Sequence, residues 1–159
     1  MVWSLTLSGR ARAGFATVSI AVFVLLTLGI GQNILKLADP APVAGATARW
    51  QPWSAAEVDS RVAAGQPVFV DFTAAWCVTC QYNKKTTLAN AAVLADFDAK
   101  KVRLLRADWT RRDPAITAAL GALGRSGVPV YVLYRPGQPP QVLSEVLSAD
   151  EVRSALATL

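Results

Sequence analysis

Hydrophobic and polar positions divide this chain into stretches of unlike pattern. From Ala13 to Leu35 no residue is charged, and Phe15 to Ile30 is almost wholly apolar. About 20 such residues, rising about 1.5 Å each, span a bilayer, so the pattern predicts a transmembrane helix within residues 1–37. Residues 38–49 carry Pro, Gly and Ala without period and read as a linker. From residue 50 to 159 the pattern becomes short and regular, as expected of one folded domain.

Within that domain Ser54-Ala55-Ala56-Glu57 is a capping box opening a helix that Gly65 stops. Val68 to Phe72 is a buried strand, and a helix is predicted from Cys77 to about Leu88. Asn90 caps a second helical stretch through Phe97, and Val102 to Ala107 is a strand. Asp113-Pro114 supplies an N-cap and a first-turn proline for a helix to Leu123. Val130 to Tyr134 is a strand that Arg135-Pro136-Gly137-Gln138 turns into a last one, Gln141 to Leu147. Ser148 with Glu151 forms a second capping box for the C-terminal helix. After the leading helix the order is β-α-β-α-β-β-α. Two crossovers predict parallel pairing of the first three strands, with an antiparallel edge and helices on both faces. The fold class is α/β, a mixed central sheet behind one N-terminal transmembrane helix.

Composition sharpens the N-terminal reading. The chain is 53% hydrophobic with a formal net charge of +5. Arg10 and Arg12 precede the apolar run, while Lys36, balanced by Asp39, follows it. The positive-inside rule then puts the N-terminus in the cytoplasm and the domain across the membrane. A cleaved signal peptide is the rival, but its apolar region is normally shorter, and Ala44-Gly45-Ala46 lies too far downstream for cleavage. Either way the domain meets an oxidising compartment. The remaining basic residues are dispersed among acids, with short clusters only at Lys84-Lys85, Lys100-Lys101 and Arg111-Arg112. That pattern is solvated surface and argues against a nucleic-acid partner.

The candidate chemistry lies in Trp76-Cys77-Val78-Thr79-Cys80, which holds both cysteines of the chain. A Cys-x-x-Cys at a strand-to-helix junction puts its first sulfur at a helix N-terminus. Free N–H groups and the helix dipole favour a thiolate there. The second sulfur, one turn on, can resolve a mixed disulfide formed by the first. A structural staple is a weak alternative, because so short a loop stabilises a fold little. A zinc site fails for lack of ligands, since there is no histidine and no third cysteine. No metal or bound cofactor is expected, the Cys77–Cys80 pair being the redox group.

Three motifs in order carry a family resemblance. Asp71 to Cys80 (DFTAAWCVTC), Arg106 to Thr110 (RADWT) and Gly124 to Tyr134 (GRSGVPVYVLY) resemble the C-terminal thioredoxin-like domain of DsbD, the bacterial thiol:disulfide interchange protein. The resemblance covers roughly residues 50 to 159. It implies a thioredoxin fold and a periplasmic domain, held at the bacterial inner membrane, that takes electrons from a membrane-embedded donor and passes them to periplasmic thiol proteins. Cys77 is then the nucleophile and Cys80 the resolving cysteine. Asp71 is either a solvent-facing strand position or a buried acid that exchanges a proton behind the cysteines. The resemblance favours the second. Pro129, after Val128, stands where thioredoxin-like folds carry a substrate-facing cis-proline, although a trans proline at a strand start is the ordinary alternative. Trp76 is read as a partly exposed wall beside the sulfurs, with a core aromatic as the alternative. Asp108-Trp109 either borders the site or only shapes its loop.

Two departures stand out. Four residues after the second cysteine, DsbD domains commonly carry an acid; here it is Lys84, which either lowers the cysteine pKa by its charge or points into water. Full-length DsbD also moves electrons through a multi-helix membrane domain with its own cysteines, whereas this chain has one expected span and no cysteine in it. A single-pass, membrane-anchored reductase fed by a separate membrane donor is the expectation. A thioredoxin-like reductase for cytochrome c maturation is the alternative, ahead of a dithiol oxidase or a copper chaperone.

Overall fold

A computed structural model of the protein describes residues 17–26 and 49–159. The chain divides into two compact units, Met1–Pro42 and Val43–Leu159. In the first, residues 17–26 are helical (α1) with exposed side chains. Among the described residues no helix is long and apolar enough to cross a membrane. The remainder of the expected span, and residues 38–48 of the expected linker, lie outside the described residues. Arg49, assigned to the linker by its sequence, is bound into the second unit through a 2.7 Å ion pair with Asp98.

The second unit is a five-stranded sheet in the order β1-β3-β2-β4-β5. Its strands are β1 (Gln51–Pro52), β2 (Val68–Thr73), β3 (Arg103–Asp108), β4 (Val130–Tyr134) and β5 (Gln141–Val142). The helices are α2 (Ala55–Ala63), α3 (Val78–Lys85), α4 (Ala91–Ala99), α5 (Pro114–Ala122) and α6 (Ala149–Ala157), with a 3₁₀ turn at Thr87–Ala89. All of β2 is buried, as its near-continuous apolar run requires. The period of two sends Val68, Val70 and Phe72 to one face, where they meet Val58 of α2 and Ile116 and Leu120 of α5. Phe69 goes to the other face and packs with Phe97 of α4, Tyr131 of β4 and Leu156 of α6. The result is three layers with β2 at the centre.

Local signals place most elements where the sequence puts them. Ser54 and Ser148 cap α2 and α6 by accepting from Glu57 N and Glu151 N, each at 3.1 Å. The reciprocal half of each capping box is replaced. The Glu57 carboxylate binds Arg61 at 2.8 Å, and that of Glu151 accepts from Ser144 N at 2.8 Å. Asn90 and Asp113 cap α4 and α5. Gly65, at φ +80°, ends α2 in a Schellman turn, with Gln66 N bonded to Arg61 O and Gly65 N to Val62 O.

Four expectations need correction. β4 runs antiparallel to β2, with Phe72 opposite Val130, rather than parallel to it. A helix between two strands is compatible with either direction. Here a Schellman turn at Gly124 follows α5, and the chain re-enters the sheet at the end it left. β1 was not expected. It pairs parallel to β3 as a two-residue edge carrying a proline, too short for any alternation. The last strand, expected to reach Leu147, is only Gln141–Val142. Its continuation is diverted onto α3 and the 3₁₀ turn that follows it: Asn83 Nδ2 donates to Glu145 O at 2.8 Å, and Thr87 Oγ1 to Leu147 O at 2.8 Å. The helix expected from Cys77 to Leu88 stops at Lys85, where the Thr86 hydroxyl turns back to Tyr82 O at 2.9 Å.

Phe69 sits at the junction of these layers, with ring centroids 5.0 Å from Phe97 and 6.2 Å from Trp50. Phe69→Ala is expected to cost about 3–5 kcal/mol, because the cavity is bounded by sheet and helix and cannot collapse. Urea unfolding checks it: the midpoint falls and the slope stays unchanged.

Candidate active site

β2 leaves the core through Ala74, Ala75 and Trp76 and turns directly into α3, the Cys77 amide donating to Ala74 O at 3.2 Å. Cys77 is the N-cap of α3, and its Sγ accepts from the Cys80 amide at 3.2 Å. The two sulfurs form a disulfide with Cα atoms 5.2 Å apart. Cys77 is 7% exposed and Cys80 0%, so of the two cysteines only the first reaches the surface. On reduction, the unpaired N–H groups of the first turn favour negative charge at Cys77.

Side chains from β3 and its exit loop hold this turn in place. Thr110 Oγ1 accepts from Ala75 N at 2.8 Å, and Thr110 O from Trp76 Nε1 at 3.3 Å. Asp108 Oδ1 in turn accepts from both the Thr110 amide and its hydroxyl. Gln81 Nε2 closes the other side by donating to Ala74 O at 3.0 Å. Trp109 is buried, donates from Nε1 to Thr117 Oγ1 at 2.8 Å, and lies 6.1 Å from the Trp76 ring. Asp108-Trp109 therefore shapes the loop and, through Thr110 and Trp76, borders the sulfurs as well. Trp76 is 52% exposed, an outer wall rather than a core aromatic.

The antiparallel course of β4 delivers the next wall. Val128 packs against Ala74, Cys77 and Cys80, and the Val128–Pro129 bond is cis, not trans. A parallel β4 would have left this dipeptide at the opposite end of the sheet. Cys77, Cys80, Trp76, Val128 and Pro129 thus come together at one end.

Asp71 is not a solvent-facing strand residue. It is fully buried in the central strand, on the face that α3 covers. Its register neighbours are Arg106 on β3 and Tyr131 on β4. Arg106 Nε donates to Asp71 Oδ2 at 2.9 Å, and its guanidinium lies over the Trp50 ring, 4.5 Å from the centroid. Tyr131 Oη accepts from Asn83 Nδ2 of α3 at 2.9 Å, tying the helix to this polar row. Burial pushes the Asp71 carboxyl above the ordinary carboxylate range, against the pull of Arg106 and Lys84. Among the described residues no group of three or more His, Cys, Asp or Glu side chains can hold a metal.

Arg106, Asn83, Tyr131 and Thr110 escaped the sequence reading. Arg106, Thr110 and Tyr131 fall within the quoted motifs, but each of the four acts across the sheet or from a neighbouring loop, so no local pattern gives its role. Only Arg106 gives a signal, as a charge between Leu104–Leu105 and Ala107 in a strand that is otherwise apolar there.

A two-sulfur site at a helix N-terminus, on a sheet of this order and beside a cis-proline, defines the thioredoxin class of redox domains. A thioredoxin-like family model matches residues 49–136, and the chain belongs to the thioredoxin-like family. It is 34% identical over 86 residues to thiol:disulfide interchange protein DsbD 1 of Pseudomonas aeruginosa, covering 52% of this chain and 14% of that protein. It is also 34% identical over 110 residues to DsbD of Ralstonia nicotianae, covering 67% of this chain and 18% of that one. The matched region thus spans less than a fifth of either relative's length. The fold resembles the C-terminal domain of Neisseria meningitidis DsbD in its oxidised form, with TM-score 0.57, 24% identity and coverage of 69% of this chain and 97% of that one. The reduced form gives TM-score 0.55 at 23% identity, covering 66% and 96%. The resemblance read from the motifs is thus borne out.

The raised pKa of Asp71 carries a stability consequence. Below the unfolded value of 3.8 the carboxyl is neutral in both states; as pH rises above it the unfolded chain ionises first, and folding stability falls until the buried group ionises too. Asp71→Asn removes that decline. Thermal midpoints measured from pH 4 to 8 are expected to fall less with pH in the variant than in the parent protein. Parallel curves would contradict the assignment.

Proposed function

We propose that this protein is a thiol:disulfide oxidoreductase that works as a protein-disulfide reductase through Cys77 and Cys80. The observation that carries the reading is a disulfide whose outer sulfur caps α3 while its inner sulfur is wholly buried. That asymmetry separates an attacking from a resolving cysteine. The similarity to DsbD proteins supports the same assignment.

In the reduced domain the Cys77 thiolate attacks a client disulfide. A Cys77–client S–S bond forms, the client bond breaks, and the departing client sulfur takes a proton from water. The Cys80 thiol then gives its proton to the Asp71 carboxylate, and its sulfur attacks Cys77 Sγ. The second client sulfur leaves and is protonated, and Asp71 releases its proton to solvent. Two electrons have passed to the client, and the Cys77–Cys80 disulfide is restored. A dithiol protein must reduce it again by the reverse sequence. Trp76 and Val128 flank the sulfurs as walls for the client chain, and the backbone beside Pro129 pairs with it as an added strand.

The charge-free run from Ala13 to Leu35 supports a membrane-anchored form at the bacterial inner membrane with its redox domain in the periplasm. Anchoring raises the domain's effective concentration near a membrane-embedded electron donor. The clients are then periplasmic proteins with disulfides, and an apocytochrome awaiting haem is one such client.

The reduction potential, equilibrated against defined thiol–disulfide buffers, tests the direction of electron flow. A reductase is expected at about −220 mV or below, whereas a value near about −120 mV would make the protein an oxidase. Trapping tests the roles of the sulfurs: Cys80→Ala is expected to accumulate mixed disulfides with clients, and Cys77→Ala to form them only at background level. Equal trapping by both variants would overturn the assignment of Cys77 as nucleophile.

A further inference from the structure

Lys84 is less exposed than the adjacent Lys85. On α3, Tyr82 and Lys85 mark the exposed side, while Cys80 and Asn83 are fully buried. Lys84 stands one turn after Cys80 on the same stripe and is half-buried. That stripe lies over the polar row of the sheet, because the adjacent Asn83 bonds Tyr131, the register neighbour of Asp71. Asp71 has one carboxylate oxygen on Arg106, on the β3 side, and its Oδ1 has no hydrogen-bond partner among the described residues.

The charged and titratable groups facing Asp71 are therefore few. β3 contributes Arg106 and the exposed Asp108, β4 contributes Tyr131, and α3 contributes Lys84. Asp108 has an oxygen engaged by Thr110. A buried carboxylate that accepts the proton of Cys80 also repels the thiolate of Cys77, which slows the first attack. Arg106 is fixed on the far side, between Asp71 and Trp50. Lys84 is the half-buried cation on α3, whereas Lys85 is exposed.

We propose that Lys84 is a positioning residue for the sulfur pair, offsetting the negative field of Asp71 so that the carboxylate can serve Cys80 without suppressing the Cys77 thiolate. The proposal rests on the reductase reading above. The electrostatic coupling is mutual: Lys84 draws the Asp71 pKa down, and Asp71 holds up that of Lys84 against its own burial.

The test uses the reduced full chain and follows its reaction with a small aromatic disulfide across pH, reading the midpoint at which Cys77 becomes reactive. In Lys84→Met that midpoint is expected to move to higher pH. A tenfold loss of thiolate brings roughly a threefold gain in nucleophilicity, so exchange at neutral pH slows about threefold. Lys84→Arg is expected to keep the parental profile. Asp71→Asn alone is expected to move the midpoint the other way, to lower pH, and Asp71→Asn combined with Lys84→Met to return it toward the parental value. Should the Met variant not fold, Lys84→Gln replaces it with the same expectations. An unmoved midpoint in the charge-removed variant, or a double variant no nearer the parental midpoint than Lys84→Met alone, overturns the proposal. Failure of the parent protein itself to cycle between dithiol and disulfide would instead refute the reductase reading.

Discussion

With every residue of β2 from Val68 to Thr73 buried, each side chain along it must be matched by a layer above or below the sheet. Val70 and Phe72 are matched by α2 and α5, and Phe69 by α4, β4 and α6. Asp71 is the one charge in that strand, and it cannot reach water. Leaving it unpaired would cost several kcal/mol, so the neighbouring strand supplies Arg106 at 2.9 Å, and Trp50 covers the guanidinium. The two-sided burial of β2 fixes the end of the sheet where the chain breaks out at Ala74, and there the sulfurs are placed.

The site is built from parts that also hold the fold. Cys77 caps α3 as well as presenting its sulfur, and Asn83 anchors α3 to β4 while bonding Glu145 O and the Leu147 amide. Thr110 and Gln81 restrain the turn before the cysteines from two sides. Such bracing keeps a reactive group in one geometry, because the groups that bear on it belong to rigid elements rather than to free loops. The exposed surface around it is apolar by contrast, with Trp76, Val78 and Tyr82 open to solvent. A fixed sulfur beside an open apolar wall suits a site whose substrates are themselves proteins.

Much of this was legible along the chain because it is encoded locally. The caps at Ser54, Asn90, Asp113 and Ser148 act over three residues or fewer, and all four form. The Cys-x-x-Cys turn is equally local, as is the period-two pattern of β2. What failed depended on distant partners. The end of the last strand is decided by Asn83 and Thr87, some 60 residues earlier in the chain. The short edge β1 exists only because β3 offers it free backbone groups.

The sequence by itself determined that two cysteines would sit at the start of a helix after a buried strand, and that an acid lay within that strand. Both follow from neighbours a few residues apart. Only the tertiary structure decided that β4 runs antiparallel, which brings Val128 and Pro129 to the sulfurs, and that Arg106 rather than solvent meets Asp71. Strand direction and the pairing of a buried charge depend on which surfaces meet after the chain has packed, and no local pattern encodes that choice.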